Sequence, residues 1–186
     1  MGLSRIARLE AEFGLSRFAR QKAEQGWGRV EKLGEASRPA FGALQVCRMT
    51  DFRPDPAFEA GSIAAADWPL CHVRLQDDAR FPWLILIPRR TGLVELEDLN
   101  ADERAALMEE QVRAGALVRR LGHVLNRPID KLNIAAIGNV TSQLHIHIVS
   151  RRRDDGLWPD PVWGRPGAMA WSADHRAHLL SVIAEA

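Results

Sequence analysis

The feature that most constrains the fold is the stretch 142–149, in which polar and apolar residues alternate from position 143 to position 148. Alternation with β-branched residues at the apolar positions is typical of a β-strand that is buried on one face. Successive side chains of a strand point to opposite sides of the sheet, so we predict two distinct faces. The polar face carries Gln143, His145 and His147, and the core-facing one carries Leu144, Ile146 and Ile148.

Two imidazoles that share one face of a strand can serve two kinds of chemistry. Neutral histidines at this spacing can hold a metal ion together. Alternatively, one histidine can attack phosphorus and form a covalent phosphoramidate, while the other donates a hydrogen bond or a proton. A polar strand face that carries no site is the third interpretation. The spacing alone leaves all three open.

The segments around this strand predict an α+β domain. Residues 70–75 alternate weakly and residues 81–88 are almost entirely apolar, so we expect two strands joined into an antiparallel hairpin by the polar turn 76–80. Another strand is expected at 129–137, just before the histidine strand. Residues 51–66 are interpreted as a turn followed by a short helix-like run.

One long helix is predicted between the two pairs of strands. Asn100 or Asp98 can cap its start, and the helix should end near Leu125. Its expected core-facing stripe consists of Met108, Val112, Leu117, Leu121, Val124 and Leu125. The order strand–strand–helix–strand–strand keeps the helix apart from the strands, as in α+β domains.

Composition indicates an ordinary globular chain and excludes a globally basic nucleic-acid binder. The 186 residues suffice for one domain with a core, and 46% of them are hydrophobic. Residues 1–50 hold nine Lys or Arg against five Asp or Glu, whereas residues 51–186 hold sixteen against nineteen. The resulting charges of +4 and −3 leave a net +1, far from the basic surface that nucleic acid requires.

Cysteine usage and hydropathy predict a cytoplasmic location without a membrane partner. Cys47 and Cys71 lack metal-ligand spacing, and without a secretory signal they are expected to be free thiols in a reducing compartment. The longest apolar run, residues 81–88, is far shorter than a transmembrane helix.

The chain divides into three regions by pattern. Residues 1–48 combine Arg and Ala with glycines that break any helical period, which predicts a poorly packed extension or a start site mis-assigned upstream of Met49. Residues 52–155 contain the predicted strands and helix. Residues 156–186 are expected to be a tail broken by Pro and Gly, with a short helix from about residue 172.

The histidine strand resembles the signature strand of the histidine triad (HIT) superfamily, in which three histidines alternate with apolar residues and two apolar residues follow. Gln143 stands at the first histidine position, as in a bacterial subgroup of the superfamily, His145 at the second and His147 at the third. Residues 132–139 resemble the strand and glycine turn that precede this motif. Residues 83–89 resemble an apolar strand that ends in Pro and a basic residue.

Over residues 52–155, the resemblance implies a HIT-like antiparallel half-barrel sheet with one long packed helix. It also implies that His145 attacks the α-phosphate of a nucleotide and forms a nucleotidyl-histidine that water hydrolyses. His147 would donate to the phosphate or the leaving group, and the Gln143 amide would donate to a phosphate oxygen. The residues expected near the nucleotide are Asn133, Asn139, Ser142 and Gln76.

The implied substrates are dinucleoside polyphosphates, nucleoside phosphoramidates or related adenylylated compounds, and no cofactor is required. Two alternatives remain. A non-catalytic nucleotide-binding regulatory protein would explain Gln143, which cannot carry a proton at neutral pH. A metal-dependent enzyme would use His145 and His147 as ligands.

A homodimer is also expected. The resemblance implies two subunits whose sheets join. The sequence adds the near-continuous apolar residues 81–87, followed downstream by Trp158 and Trp163. This is more apolar surface than a small half-barrel is expected to cover alone.

Overall fold

A computed structural model describes residues 52–186, which contain a five-stranded antiparallel sheet with the strand order β1-β2-β3-β5-β4. The predicted extension, residues 1–48, lies outside the described residues. The α+β class with one long helix against the sheet is confirmed. In chain order the elements are β1 Ser62–Asp67, β2 Cys71–Gln76, β3 Trp83–Pro88, α1 Ala101–Val124, β4 Lys131–Ala135, β5 Ile146–Arg151 and α2 Ala173–Ala184.

Strand β3 lies at the centre of the sheet, which accounts for its uninterrupted apolar sequence. It pairs antiparallel with β2 on one side and with β5 on the other, where Ile85 lies opposite His147. All six of its residues are buried, because α1 covers one face and the segments that carry Phe58 and Val162 cover the other. The predicted hairpin of β2 and β3 is confirmed. The prediction that β3 needs a second subunit to cover it is wrong.

The sheet separates two apolar clusters, and the histidines lie on the side away from α1. His145 and His147 border the smaller cluster, which contains Phe58 and Ile85. The larger cluster lies between the sheet and the two helices and includes the apolar residues of the histidine strand, Leu144, Ile146 and Ile148. The predicted division into two faces is therefore confirmed.

Helix α1 begins where the sequence predicts, but its buried face differs. The Asn100 side chain accepts from the Glu103 amide, and the Glu103 carboxylate accepts from the Asn100 amide, which is a capping box. Met108 and Val112 were expected in the core but are 57% and 63% exposed. Apolar periodicity predicted Leu117 and Leu121 correctly but missed the rest of the buried face, which also includes small residues and a carboxylate: Leu107, Glu110, Ala114, Gly115, Leu117, Val118, Leu121 and Gly122.

Two strand predictions are corrected. The helix-like run expected through Phe58 and Ala60 is a 3-10 helix, Pro56–Ala60, whereas residues 62–67 form the edge strand β1, which was not predicted. Its alanine-rich sequence gives no alternation, because an edge strand needs little apolar surface. Strand β5 begins at Ile146, because the preceding residues approach the sheet as a loop. The Leu144 amide of that loop donates to the Leu93 carbonyl at 2.9 Å.

The C-terminal region ends in α2, whose start is capped by the Ser172 side chain. Leu179, Val182 and Ile183 of α2 are buried in the larger cluster, and Trp171 joins them from the preceding segment. This helix therefore completes the core. Within residues 52–186, no helix has both the length and the apolar character needed to cross a membrane.

Candidate active site

A cavity of about 620 Å³ opens on the face of the sheet opposite α1. His145 and His147 both line it, although they are only 5% and 8% exposed. Gln76 and Asn139 contribute polar side chains to its wall. The structure therefore brings together four of the seven residues predicted for the site.

Among residues 52–186, His145 finds a hydrogen-bond partner for one of its two ring nitrogens. Its Nδ1 lies 2.7 Å from the carbonyl oxygen of Gln143. A carbonyl can only accept, so Nδ1 carries the proton and Nε2 presents a lone pair. Phe58 packs edge-on against the ring at 5.0 Å between centroids. In the neutral ring, these contacts fix the tautomer and the orientation that a nucleophile requires.

His147 has the opposite arrangement. The indole Nε1 of Trp83 donates to its Nδ1 at 3.1 Å, and an indole N–H can only donate. The neutral ring must therefore carry its proton on Nε2. Burial and, to a smaller extent, the neighbouring His145 lower the His147 pKa to about 4, and a hydrogen bond with the Ile137 backbone opposes this shift. His147 is neutral at pH 7.

The two imidazoles are complementary neighbours. Their ring centroids are 4.8 Å apart and their planes are nearly perpendicular. In its neutral form His145 offers a lone pair, and His147 offers its Nε2 N–H, which also contacts the Ile137 backbone. A phosphoryl group can use both at once, because its phosphorus accepts an electron pair and its oxygens accept hydrogen bonds.

Gln143 is placed differently from the prediction that its amide faces a phosphate. Its Oε1 accepts from the Asp55 amide at 2.8 Å, and its Nε2 donates to the Arg53 carbonyl at 3.3 Å. Gln143 is not part of the cavity wall. Its side chain instead fastens the segment that leads into the 3-10 helix carrying Phe58, and its backbone carbonyl holds His145.

Asn133 and Ser142 also lie outside the cavity wall. The Asn133 Oδ1 accepts from the Arg151 guanidinium at 3.1 Å, and Ser142 is exposed at the surface of the loop before β5. Arg151 is itself buried and paired with Asp155 at 2.6 Å. Asn133 therefore belongs to a structural network.

That network positions a cavity residue which the sequence did not predict. Arg151 also donates to the Asp160 carbonyl at 2.8 Å, which fixes the loop after β5. The loop brings Trp163 to the cavity wall, with its ring centroid 5.9 Å from that of His147. Trp83 and Phe58 were missed as well. Trp83 lies two residues before Ile85 on β3, so the alternation of the strand could have placed it on the histidine face. No local signal identifies Phe58 or Trp163.

The donor set offers little to a metal ion. Among residues 52–186, no third His, Cys, Asp or Glu completes a metal-binding group with His145 and His147. The Nδ1 atoms of both histidines are already hydrogen bonded, one to a carbonyl and the other to an indole. Only the two Nε2 atoms remain for a metal ion, and one of them is protonated when both rings are neutral. The arrangement fits phosphorus chemistry better than metal coordination.

A five-stranded antiparallel sheet with one long helix and two facing imidazoles defines a HIT-like protein, and the comparisons agree. The HIT domain model matches residues 58–154. A solved histidine triad (HIT) protein from Sinorhizobium meliloti 1021 is 35% identical, with a TM-score of 0.68 over 74% of this chain and 98% of that one. The chain belongs to the HIT family, a superfamily that includes nucleotide-binding proteins and hydrolases.

Two further solved structures are similar. A histidine triad protein from Bradyrhizobium japonicum is 37% identical, with a TM-score of 0.66 over 72% of this chain and 96% of that one. A histidine triad protein from Marinobacter aquaeolei VT8 is 30% identical, with a TM-score of 0.63 over 71% and 93%. No curated protein matches the chain.

Proposed function

We propose that this protein is a nucleotide hydrolase or nucleotidyl transferase of the bacterial HIT subgroup with Gln at the first triad position. The observation that carries the proposal is the contact between His145 Nδ1 and the Gln143 carbonyl. It places a proton on Nδ1 of a buried imidazole, so that in the neutral ring Nε2 carries a lone pair, and His145 lines the cavity together with His147. Dinucleoside polyphosphates and other adenylylated compounds are the proposed substrates, and the proposed location is the cytoplasm.

The proposed reaction has two steps at His145. The Nε2 lone pair attacks the α-phosphorus, an N–P bond forms, and the bond between phosphorus and the leaving group breaks. Water, or another acceptor with an O–H group, then attacks phosphorus and forms a P–O bond. Its proton passes to solvent, and the electron pair of the N–P bond returns to Nε2. Throughout, the Gln143 carbonyl stabilises the positive charge that develops on the ring. The N–H of His147 stabilises negative charge on a phosphate oxygen.

Gln76 and Asn139 are the proposed polar contacts to the nucleotide, since both line the cavity. For Gln143 we propose a supporting role, because its amide is already bonded to the backbone of residues 53 and 55. Asn133 and Ser142 would act only indirectly, through the loop and strand that surround the cavity.

We also propose a homodimer in which the sheets of two subunits join, through the edge strand β4 and not through residues 81–87. Strand β4 is at the edge of the sheet, and among the described residues nothing pairs with its outer side. Ile134 on β4 and Met108 on α1 are 47% and 57% exposed and line one apolar groove of about 260 Å³, and Val112 continues the patch along α1. An unpaired edge beside an apolar patch is suited to a second copy, which would extend the sheet.

The test is covalent trapping with adenylyl compounds. Wild-type protein that is incubated with adenosine 5′-(4-nitrophenyl phosphate) and quenched without acid should gain one nucleotidyl group on the peptide that contains His145. Acid should remove it, because the imidazole–phosphorus bond is acid-labile.

His145→Ala should fold normally and lose several orders of magnitude in turnover. An active protein that forms no adduct and keeps its rate without His145 would contradict the mechanism. Tight nucleotide binding without turnover would favour the regulatory alternative.

A further inference from the structure

The roles proposed for the two histidines do not explain the contact between His147 and Trp83. Trp83, at the start of β3, is 8% exposed and donates its indole N–H to Nδ1 of His147 at 3.1 Å. The two rings meet edge to face, with centroids 5.3 Å apart. Because an indole nitrogen cannot accept a hydrogen bond, this contact is compatible only with a His147 ring whose Nδ1 is unprotonated.

We propose that Trp83 is a positioning residue that keeps His147 a neutral hydrogen-bond donor, so that His147 does not supply a proton to the leaving group. Resting on the function proposed above, this makes the site selective for substrates whose leaving group departs as a stable anion. Substrates whose leaving group must first take a proton, such as alkyl phosphoramidates, should react slowly.

The surroundings of His147 support this assignment. The residues opposite it in the sheet are Ile85 on β3 and Ala135 on β4, and Trp163 covers it from the loop after β5. None of these side chains is charged, and His145 is the one titratable neighbour that faces it from its own segment. An imidazolium at this position would be desolvated, would lie beside a second imidazole and would direct an N–H at the indole N–H. Each of these opposes protonation.

The rest of the cavity offers no substitute acid. Its other polar side chains in the described part of the chain are a hydroxyl or an amide, which do not release protons near neutral pH: Ser62, Gln76, Asn139 and Thr141. Gln143, at the first triad position, is likewise an amide. A leaving group in this cavity therefore finds hydrogen-bond donors but no acid.

The proposed step balances without a proton transfer from the protein. As the Nε2 lone pair of His145 forms the N–P bond, the bond from phosphorus to the leaving oxygen breaks, and that oxygen keeps the electron pair as an anion. The N–H of His147 donates a hydrogen bond to it or to a phosphate oxygen but keeps its proton. An alkylamine leaving group would have to depart as an amide ion or take a proton from solvent, and both routes are slow.

The tautomer is tested without reference to activity. Long-range ¹H–¹⁵N NMR of wild-type protein should show His147 protonated at Nε2 and unprotonated at Nδ1 from pH 5.5 to pH 8. In Trp83→Phe, His147 should titrate at a higher pH than in wild type. Trp163→Phe is the matched control, since Trp163 also packs on His147 but donates no hydrogen bond to it, and it should leave the tautomer unchanged. A wild-type His147 protonated at Nδ1 would overturn the proposal, even if Trp83→Phe failed to fold.

The selectivity is tested with a series of adenosine 5′-phosphate aryl esters of increasing phenol pKa, together with an alkylamine phosphoramidate. We expect a steep fall in kcat/KM along the series. The phosphoramidate should react about 10²- to 10⁴-fold more slowly than the 4-nitrophenyl ester, the range that a general acid normally contributes. Equal rates across the series would overturn this inference while leaving the nucleotidyl-histidine mechanism intact. Failure to hydrolyse even the 4-nitrophenyl ester would instead count against the proposed function.

Discussion

Burial of His147 should make the stability of the fold depend on pH. The folded state holds its pKa at about 4, whereas a histidine in the unfolded chain titrates near 6.5. Between these values, protons bind preferentially to the unfolded chain. The contribution of this group to the free energy of unfolding should be complete above pH 6.5 and should fall by about 3 kcal/mol as the pH drops to about 4. Urea unfolding at a series of pH values measures it.

His147→Gln supplies the control, because glutamine has a similar polarity and no titration in this range. The slope of stability against pH between 6.5 and 4 should become smaller in the variant. Any further loss of stability below pH 4, where carboxylates such as Asp155 become protonated, should be seen in both proteins. Identical slopes between pH 6.5 and 4 would mean that His147 is not the buried neutral group.

At the scale of single residues, the alternation of the histidine strand could predict the face of each of its residues but not the partners of those residues. Alternation placed His145 and His147 on one side and Leu144 on the other, because the period of a strand is independent of distant contacts. The roles of Phe58 and Trp163 depend on loops that fold back over the sheet. A prediction based on local pattern does not include such contacts. It therefore assigned the Gln143 amide to a phosphate, whereas in the structure this amide is hydrogen bonded to the backbone.

The segment before the 3-10 helix should depend on Gln143 for its order. The Gln143 side chain makes two hydrogen bonds to the backbone of this segment, one from the Asp55 amide and one to the Arg53 carbonyl. Gln143→Ala removes both, so we expect at least tenfold faster hydrogen exchange at the Asp55 amide, equivalent to about 1.4 kcal/mol of local protection. Exchange followed by mass spectrometry measures this effect.

Ser142→Ala is the matched variant, since it truncates an exposed neighbouring side chain in the same loop. It should leave exchange at Asp55 unchanged. If Gln143→Ala exchanges like wild type while nucleotide affinity drops sharply, the amide binds substrate directly and the original sequence-based role is correct.

At the scale of elements, capping and hairpin signals predicted the start of α1 and the pairing of β2 with β3, because both depend on residues close in sequence. Asn100 indicated the start of α1, because a cap depends only on residues close in sequence, and in the structure Glu103 completes a capping box with it. The buried face of α1 was harder, since it includes Glu110. This carboxylate accepts from the amides of Leu70 and Cys71 at 2.7 and 2.9 Å. A charged residue can occupy the core once it is paired with buried donors, and an apolar scale cannot anticipate this.

The whole molecule should be a dimer held by the groove between α1 and β4. Met108→Glu places a charge on the exposed apolar patch, so desolvation should oppose association. Light scattering at micromolar concentration should give a dimer mass for wild type and a monomer mass for the variant. His178→Glu, on the exposed face of α2, adds the same charge elsewhere and should stay dimeric. A wild-type monomer would contradict the dimer, and a dimeric Met108→Glu would place the contact on another surface.

The two ends of the chain should contribute unequally to stability, and paired truncations test this. A protein that begins at Met49 should keep its thermal midpoint and its activity, because the apolar periodicity and the histidine motif follow that residue.

Deletion of residues 173–186 should abolish cooperative unfolding. It removes three buried aliphatic side chains, Leu179, Val182 and Ile183, and uncovers the apolar surface beneath them. At about 1.5–3 kcal/mol for each side chain, the loss approaches the entire stability of a typical domain. Calorimetry of both proteins against the full chain decides the matter: a large drop in midpoint for the Met49 start would show that residues 1–48 stabilise the fold.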